Sequence, residues 1–295
     1  MDHSLSTFLS GAARYHDFIF FAKSLDELEK DDTVNSTFLF IDGDKTARFG
    51  EPTGWTALSM AVIKEGDRLV VCALGPNGEL WEGHPADGSS VTGEIGIGEH
   101  AWRSLAVIDG EVYACGMDRT VAVRTGKLTW KALNAPAAKD DKLIIGFESV
   151  DGFSSKDLYA VGWQGEIWQR KGSKWRQIDS PVSATLSAVC CAEDGVVYAV
   201  GANGTMLKGR DDTWTEIDTG LEANLHDVRD FEGKVYVVSD FDIYELVDDT
   251  LELVDLADDE ETGSCLHLLK GADGLVSLGQ KDVFKLHGGQ WTRVV

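Results

Sequence analysis

The chain is poor in proline, in cysteine and in positive charge, and each shortage narrows what it can be. Five prolines against 32 glycines in 295 residues leave few rigid linkers and many tight turns. No segment approaches the ~20 consecutive apolar residues of a membrane-spanning helix. The opening "MDHSLSTFLSGAARYH" lacks the basic start and sustained apolar run of a secretory signal, so a cytoplasmic protein with no membrane partner is expected. The five cysteines, Cys72, Cys115, Cys190, Cys191 and Cys265, each fall inside an apolar run and not in a C-x-x-C spacing. They read as small core residues of a reducing compartment, not as metal or redox ligands. Cys190 and Cys191 point to opposite faces of one strand, so one of them leaves the inner face. Lys and Arg number 27 against 50 Asp and Glu, a net charge of -23. Nucleic acid is a poor partner for such a chain, because binding it requires basic residues to displace counterions. No H-E-x-x-H, G-x-S-x-G or phosphate-loop motif occurs, and no cofactor is expected.

What the sequence does have is a repeat. "LVVCALGPNGELWEG" (69–83), "VYACGMDRTVAVRTG" (112–126), "LYAVGWQGEIWQRKG" (158–172), "VYAVGANGTMLKGRD" (198–212), "VYVVSDFDIYELVDD" (235–249) and "LVSLGQKDVFKLHGG" (275–289) share one grammar. Their turn-opening residues, Gly75, Gly116, Gly162, Gly201, Ser239 and Gly279, are 41, 46, 39, 38 and 40 residues apart. Each unit reads as four short strands. The first is an apolar run such as "SMAVI" (59–63), "SLAVI" (104–108) or "SAVCC" (187–191), and the second is the V-Y-A-V-type run. A third follows the small turn, as in "GELW" (78–81) and "GEIW" (165–168), and a fourth begins near Trp130, Trp175, Trp214 and Trp291. "SLDELEK" (24–30) is the one good helical signal, with Ser24 placed as N-cap and Glu27 three residues on.

A period of about 40 residues with four strands per unit predicts an all-β protein, a β-propeller of four-stranded antiparallel blades. One such unit cannot cover both its faces, so units stack and the ring must close. The six copies occupy 55–295, and residues 1–54 have room for one irregular first blade. A single domain of seven blades is expected, with six as the alternative. The repeats, with "GSKW" (172–175), "DDTW" (211–214) and "GGQW" (288–291), resemble the propellers of the BNR/Asp-box superfamily, nearest to photosystem II assembly-factor-type repeats. That resemblance implies the fold. The Asp-box pattern itself has decayed, and the R-[IL]-P motif of the sialidase branch is missing.

Two groups of residues are candidates for function. At the channel mouth, where inner strands converge, fall Arg103, Glu148, Ser187, His226, Asp227 and His267, with His226 and His267 each seven residues before a turn glycine. The histidines with Asp227 and Glu148 have the composition of a metal or acid–base site of a hydrolase or lyase, or they line a wet channel. No metal ligand set is assigned. The second group lies on the face carrying the turns between second and third strands and the links between blades: Asp118, Trp163, Gln164, Asp240, Phe241, Asp242 and the run Asp258-Asp259-Glu260-Glu261. Asp140, Asp141 and the insert "HPADGSSVTGEIGIGEHA" (84–101) are expected there too. From Asp211 to Glu261 there are nineteen acidic residues against Arg229 and Lys234, a concentration suited to a sign-specific docking surface. Trp163 stands out, since the sister turns carry Pro76, Met117, Ala202, Asp240 and Gln280. The expectation is a non-enzymatic binder, monomeric on its own, that docks a basic protein partner. An immunity protein neutralising a toxin or effector domain is the concrete form, and a scaffold or assembly factor the alternative.

Overall fold

The computed structural model describes residues 6–29, 33–137, 144–257 and 260–295. Among the described residues, twenty-eight strands form seven sheets of four, each sheet made of consecutive antiparallel strands. In chain order the blades cover residues 6–48, 59–94, 102–132, 147–178, 186–217, 227–253 and 267–293, so the seven-bladed expectation holds. First strands pack on first strands around the ring, and that of blade 1 (Ser6–Tyr15) meets that of blade 7 (His267–Lys270). Among the described residues, no blade borrows a strand from the other terminus. Closure therefore rests on packing, side chains and isolated backbone bonds such as the Phe8 amide to the Gln280 carbonyl at 2.9 Å.

The alternation in the repeats produces this arrangement because both faces of each sheet are covered by neighbours. Seven apolar clusters lie among the described residues, one at each blade-to-blade interface. Between blades 1 and 2 the filling is aromatic, with Phe38 stacked on Trp81 at 3.8 Å and Phe49 set edge-on to the same indole at 5.3 Å. Cys190 packs between blades 5 and 6 while Cys191 faces the blade 4–5 interface. Burial pushes both thiols well above the ordinary range, and neither is in a disulfide. The repeat tryptophans also go into these seams. Trp175 donates from Nε1 to the Leu133 carbonyl of blade 3 at 2.6 Å.

The repeated glycine is required by close approach, not by turn conformation. Gly162 and Gly201 end their second strands at φ 178° and -172°, extended values open to any residue. A Cβ at Gly162 would lie 2.0 Å from the Gly146 carbonyl oxygen, and one at Gly201 would lie 2.1 Å from that of Thr185. In blades 3, 4, 5 and 7 the chain entering the blade passes where a side chain would begin.

Two local expectations are corrected. The helix expected over 24–30 starts at Asp26 and is described as far as Glu29, because Ser24 is drawn into the second strand, Phe18–Leu25, where it pairs with Thr7; Lys30 lies outside the described residues. Residues 84–101 are not one insert. Ser90–Glu94 form the fourth strand of blade 2, which puts the turn before it and the link after it on opposite rims.

Candidate functional site: the loop rim and the channel mouth

Antiparallel order places the second-to-third-strand turns and the blade-to-blade links on one rim, called here the loop rim. The sequence candidates on this rim fall into two sectors. Blades 3 and 4 carry Asp118, Trp163 and Gln164. Asp118 and Gln164 sit in the left-handed region at φ 56° and 58°, which short turns demand and which presents their side chains outward. Asp118 bonds the His100 ring at 2.8 Å, and Gln164 donates to the Ile144 carbonyl at 3.0 Å beside the exposed Ile144 side chain. Trp163 opens a short 3-10 turn, and its indole is only partly exposed. Its Nε1 donates to Glu148 Oε1, and Arg103 Nε donates to the same oxygen at 3.2 Å. The indole thus holds a carboxylate in place at the channel mouth, a task invisible in the repeat alignment.

The second sector spans blades 6 and 7. Phe241 is 63% exposed at the tip of its turn, and its carbonyl accepts a hydrogen bond from Thr262 Oγ1. Beside it is a groove of about 490 Å³ lined by Leu253, Leu256, Asp242, Asp255, Glu260 and Glu261. Leu253, itself 65% exposed, was not singled out from the sequence, where it is one more apolar residue of an alternating strand. Asp240 bonds His226 Nε2 at 2.6 Å, Asp242 accepts from Tyr244 Oη at 3.2 Å, and Glu260 accepts from Arg293 Nε at 2.7 Å. Asp140, Asp141, Asp258 and Asp259 lie outside the described residues.

The acidic stretch 211–261 does not form one surface. Asp211 and Asp212 belong to the turn before a fourth strand, on the opposite rim, where they pair with Lys171 and Arg176 of blade 4. Asp249, also in such a turn, binds Lys208 of blade 5 at 2.6 Å. Asp227 and Asp230 are buried in the channel wall. Charges adjacent in sequence are dealt out to two rims and the channel by the strand reversals.

Arg103, Glu148, Ser187, His226, Asp227 and His267 all line the central channel, a cavity of about 730 Å³. Asp227 is engaged on both oxygens. Oδ1 takes the Val228 amide at 2.9 Å and Arg229 Nη1 at 3.1 Å, while Oδ2 takes the Leu268 amide of the next blade at 2.9 Å. Ser149 and Asp151 tie the amides of Val189 and Cys191 in the same way, so these wall residues brace one blade against another. Burial works against the charge on Arg229, but Asp227, Asp151 and Asp230 more than offset it and its pKa is raised. His267 is moved below the ordinary imidazole range by burial, with Asp227 pulling the other way. The channel is a salted, hydrogen-bonded wall, not a row of unengaged acid–base groups.

The comparisons with known proteins bear on this geometry. No family model matches the chain. Immune protein Tsi7 of Pseudomonas aeruginosa (strain ATCC 15692) is 36% identical over 301 residues, covering 97% of this chain and 96% of that protein. The chain belongs to the Tsi7 immune-protein family. Identity at that level over nearly the whole of both chains includes every blade, so the family shares the ring and both rims. Solved structures resembling this member of the Tsi7 family are far more distant in sequence. A catalytically inactive virginiamycin B lyase from Staphylococcus aureus with quinupristin aligns at TM-score 0.75 and 10% identity over 97% of this chain and 96% of that one. YCF48 bound to D1 peptide aligns at 0.67 and 14% over 95% and 91%, and BamB from Moraxella catarrhalis at 0.62 and 12% over 96% and 85%. At such identities the likeness is one of fold.

Proposed function

We propose that this chain is a toxin-immunity protein that works by binding: it acts in the cytoplasm, and its loop rim docks a basic toxin domain. The observation that carries this reading is the 36% identity to an immune protein over 97% of the chain. Three features support the location and chemistry of the contact. The net charge of -23 favours a cationic partner and speeds encounter with it. Phe241 is a large apolar side chain held outward on a rigid turn, the kind of anchor that dominates interface energies. Its groove is walled by Asp242, Asp255, Glu260 and Glu261, so the apolar contact would be ringed by carboxylates that select against acidic partners. Binding without chemistry is consistent with Asp227 being engaged on both oxygens.

The test is a titration against the purified products of the genes adjacent to this one, to find a toxin domain that binds. Phe241→Ala with Leu253→Ala is expected to raise Kd by at least about 30-fold, the size of an interface hot spot. The triple change Asp242→Asn, Glu260→Gln, Glu261→Gln should slow association and flatten its dependence on salt. Unchanged affinity for both variants would place the interface elsewhere, and an acidic partner would overturn the charge argument.

A further inference from the structure

At three places in this ring an arginine is held in the same way, between the face of an aromatic side chain and a carboxylate. The Arg210 guanidinium lies 3.6 Å over the Phe153 ring, and its Nη2 donates to Asp157 Oδ2 at 2.8 Å. That of Arg119 lies 4.7 Å over Trp168, with Nε donating to Glu166 Oε2 at 2.8 Å. That of Arg293 lies 4.6 Å over Phe284, with Nε donating to Glu260 Oε2 at 2.7 Å. The two halves act on different parts of the cation: the negative ring face attracts its plane, and the carboxylate takes the N–H groups in that plane.

The groove beside Phe241 has both halves of that arrangement and no arginine between them. Phe241 is 63% exposed, on a turn fixed by Thr262 Oγ1 at its carbonyl and by Ser239 Oγ, which accepts from the Asp242 amide at 3.2 Å. Asp242, Asp255 and Glu261 line the same groove. Among the described residues, none of these three carboxylates pairs with a lysine, arginine or histidine. Arg293 fixes the wall without lining the groove, since its Nε is committed to Glu260 and its Nη2 donates to the Glu261 carbonyl at 2.8 Å. Leu253 and Leu256 supply apolar cover of the kind that a long basic side chain uses for its stem.

We propose that this groove is an arginine pocket, which takes one arginine side chain of the toxin domain that the immunity reading docks on the loop rim. The partner rests on that reading, and the chemistry rests on the groove. The methylene stem lies along Leu253 and Leu256, the guanidinium plane lies on Phe241, and the N–H groups in that plane donate to Asp255 and Glu261. Lysine fits less well, because its ammonium has no plane to lay on the ring, no fork to match a carboxylate, and a stronger hold on water. A neutral or acidic side chain leaves the carboxylates uncompensated. The Phe241 turn is already fixed by its own hydrogen bonds, so little ordering cost is left for binding.

The experiment uses the full chain, isotope-labelled for amide NMR, with N-acetyl-arginine methylamide and its citrulline and lysine analogues as probes at constant ionic strength. Citrulline keeps the shape and plane of arginine and loses the charge. Arginine is expected to shift the amides of Phe241, Leu253 and Glu261 and to bind about tenfold tighter than citrulline, with lysine between them. Phe241→Leu, at an exposed position, should weaken arginine binding about fivefold, and Asp255→Asn/Glu261→Gln about tenfold. Glu232→Gln/Asp248→Asn removes the same charge from turns of the opposite rim and should leave binding unchanged. Equal binding of arginine and citrulline, or an equal loss in the opposite-rim variant, would refute the pocket. So would shifts at the three amides produced by calcium chloride and not by arginine. The toxin domain separates the two readings. Unchanged toxin affinity in Asp255→Asn/Glu261→Gln would overturn the pocket and leave the immunity reading standing. Arginine bound in the groove of a chain that engages no toxin domain would support the pocket and overturn the immunity reading.

Discussion

Arg124 of blade 3 reaches across the seam to blade 2 and offers the sharpest measurement of what holds neighbouring blades together. Its guanidinium and the Glu82 carboxylate are each 2% exposed. Nε to Oε1 is 2.8 Å and Nη2 to Oε2 is 3.0 Å, a bidentate fork, and the Leu128 amide adds a third bond to Glu82 at 3.0 Å. Glu65 approaches the same guanidinium from the solvent side. Arg124→Met keeps most of the apolar stem but leaves the Glu82 carboxylate buried and facing the Leu128 amide without its guanidinium. Breaking a buried pair from one side costs about 3–5 kcal/mol. An unfolding entropy of about 2.1 cal/mol/K per residue gives about 0.6 kcal/mol/K for this chain, so the melting temperature should fall by about 5–8 °C. Differential scanning calorimetry and urea unfolding should agree on that loss. The double variant Arg124→Met/Glu82→Leu removes both charges and should recover most of it, because the desolvation penalty goes with the pair. A single variant that loses less than about 1 kcal/mol, or a double as unstable as the single, would refute the argument that the pair is a seam clamp.

Other outcomes follow from the same structure. Gly162→Ala puts a Cβ against the Gly146 carbonyl and should cost about 1–3 kcal/mol in urea unfolding, while Gly126→Ala, with nothing within 4 Å, should cost little. His267 has its folded pKa depressed by burial, so its contribution to stability is present above the unfolded value of about 6.5 and is lost as pH falls through the folded one. The urea midpoint should therefore decline from pH 7 to pH 5.5, and His267→Gln should flatten that decline; parallel curves would show that another group sets it. Trp163→Phe keeps an aromatic ring on the rim but loses the Nε1 donor to Glu148, at a cost of about 1 kcal/mol at this half-exposed site, read as a shift in urea midpoint with unchanged slope.

The fold was legible because its evidence is local. Residues such as Tyr159, Ile167 and Trp168 alternate at a period of two, and the unit recurs at about 40 residues, so strands, turns and ring could be inferred without knowing any contact. The site was legible only in part. The order of the strands assigns a rim to every loop, which is why Asp118, Trp163, Gln164, Phe241 and Glu260 could be placed together on one face. Whether such a side chain is engaged depends on partners that the local pattern does not name, 15 residues away for Trp163 and Glu148 and 41 for Asp227 and the Leu268 amide. Trp163 looked like an unassigned indole, yet it holds Glu148; Asp227 looked like a candidate acid, yet its oxygens bind two backbone amides and Arg229. The nineteen acidic residues between 211 and 261 looked like one surface, yet hairpin reversals send them to both rims and the channel.

By itself the sequence determined that this protein is a ring of four-stranded units, since periodic burial and turn chemistry are properties of neighbouring residues. Tertiary structure decided everything that depends on residues far apart in the chain. It put Phe241 beside Leu253 in an acid-walled groove, spent Arg124 on Glu82, and brought His16 to His287 across the seam. The physical reason is closure. Residues 271 positions apart become stacked partners only when seven blades complete the circle, and no local pattern records that meeting.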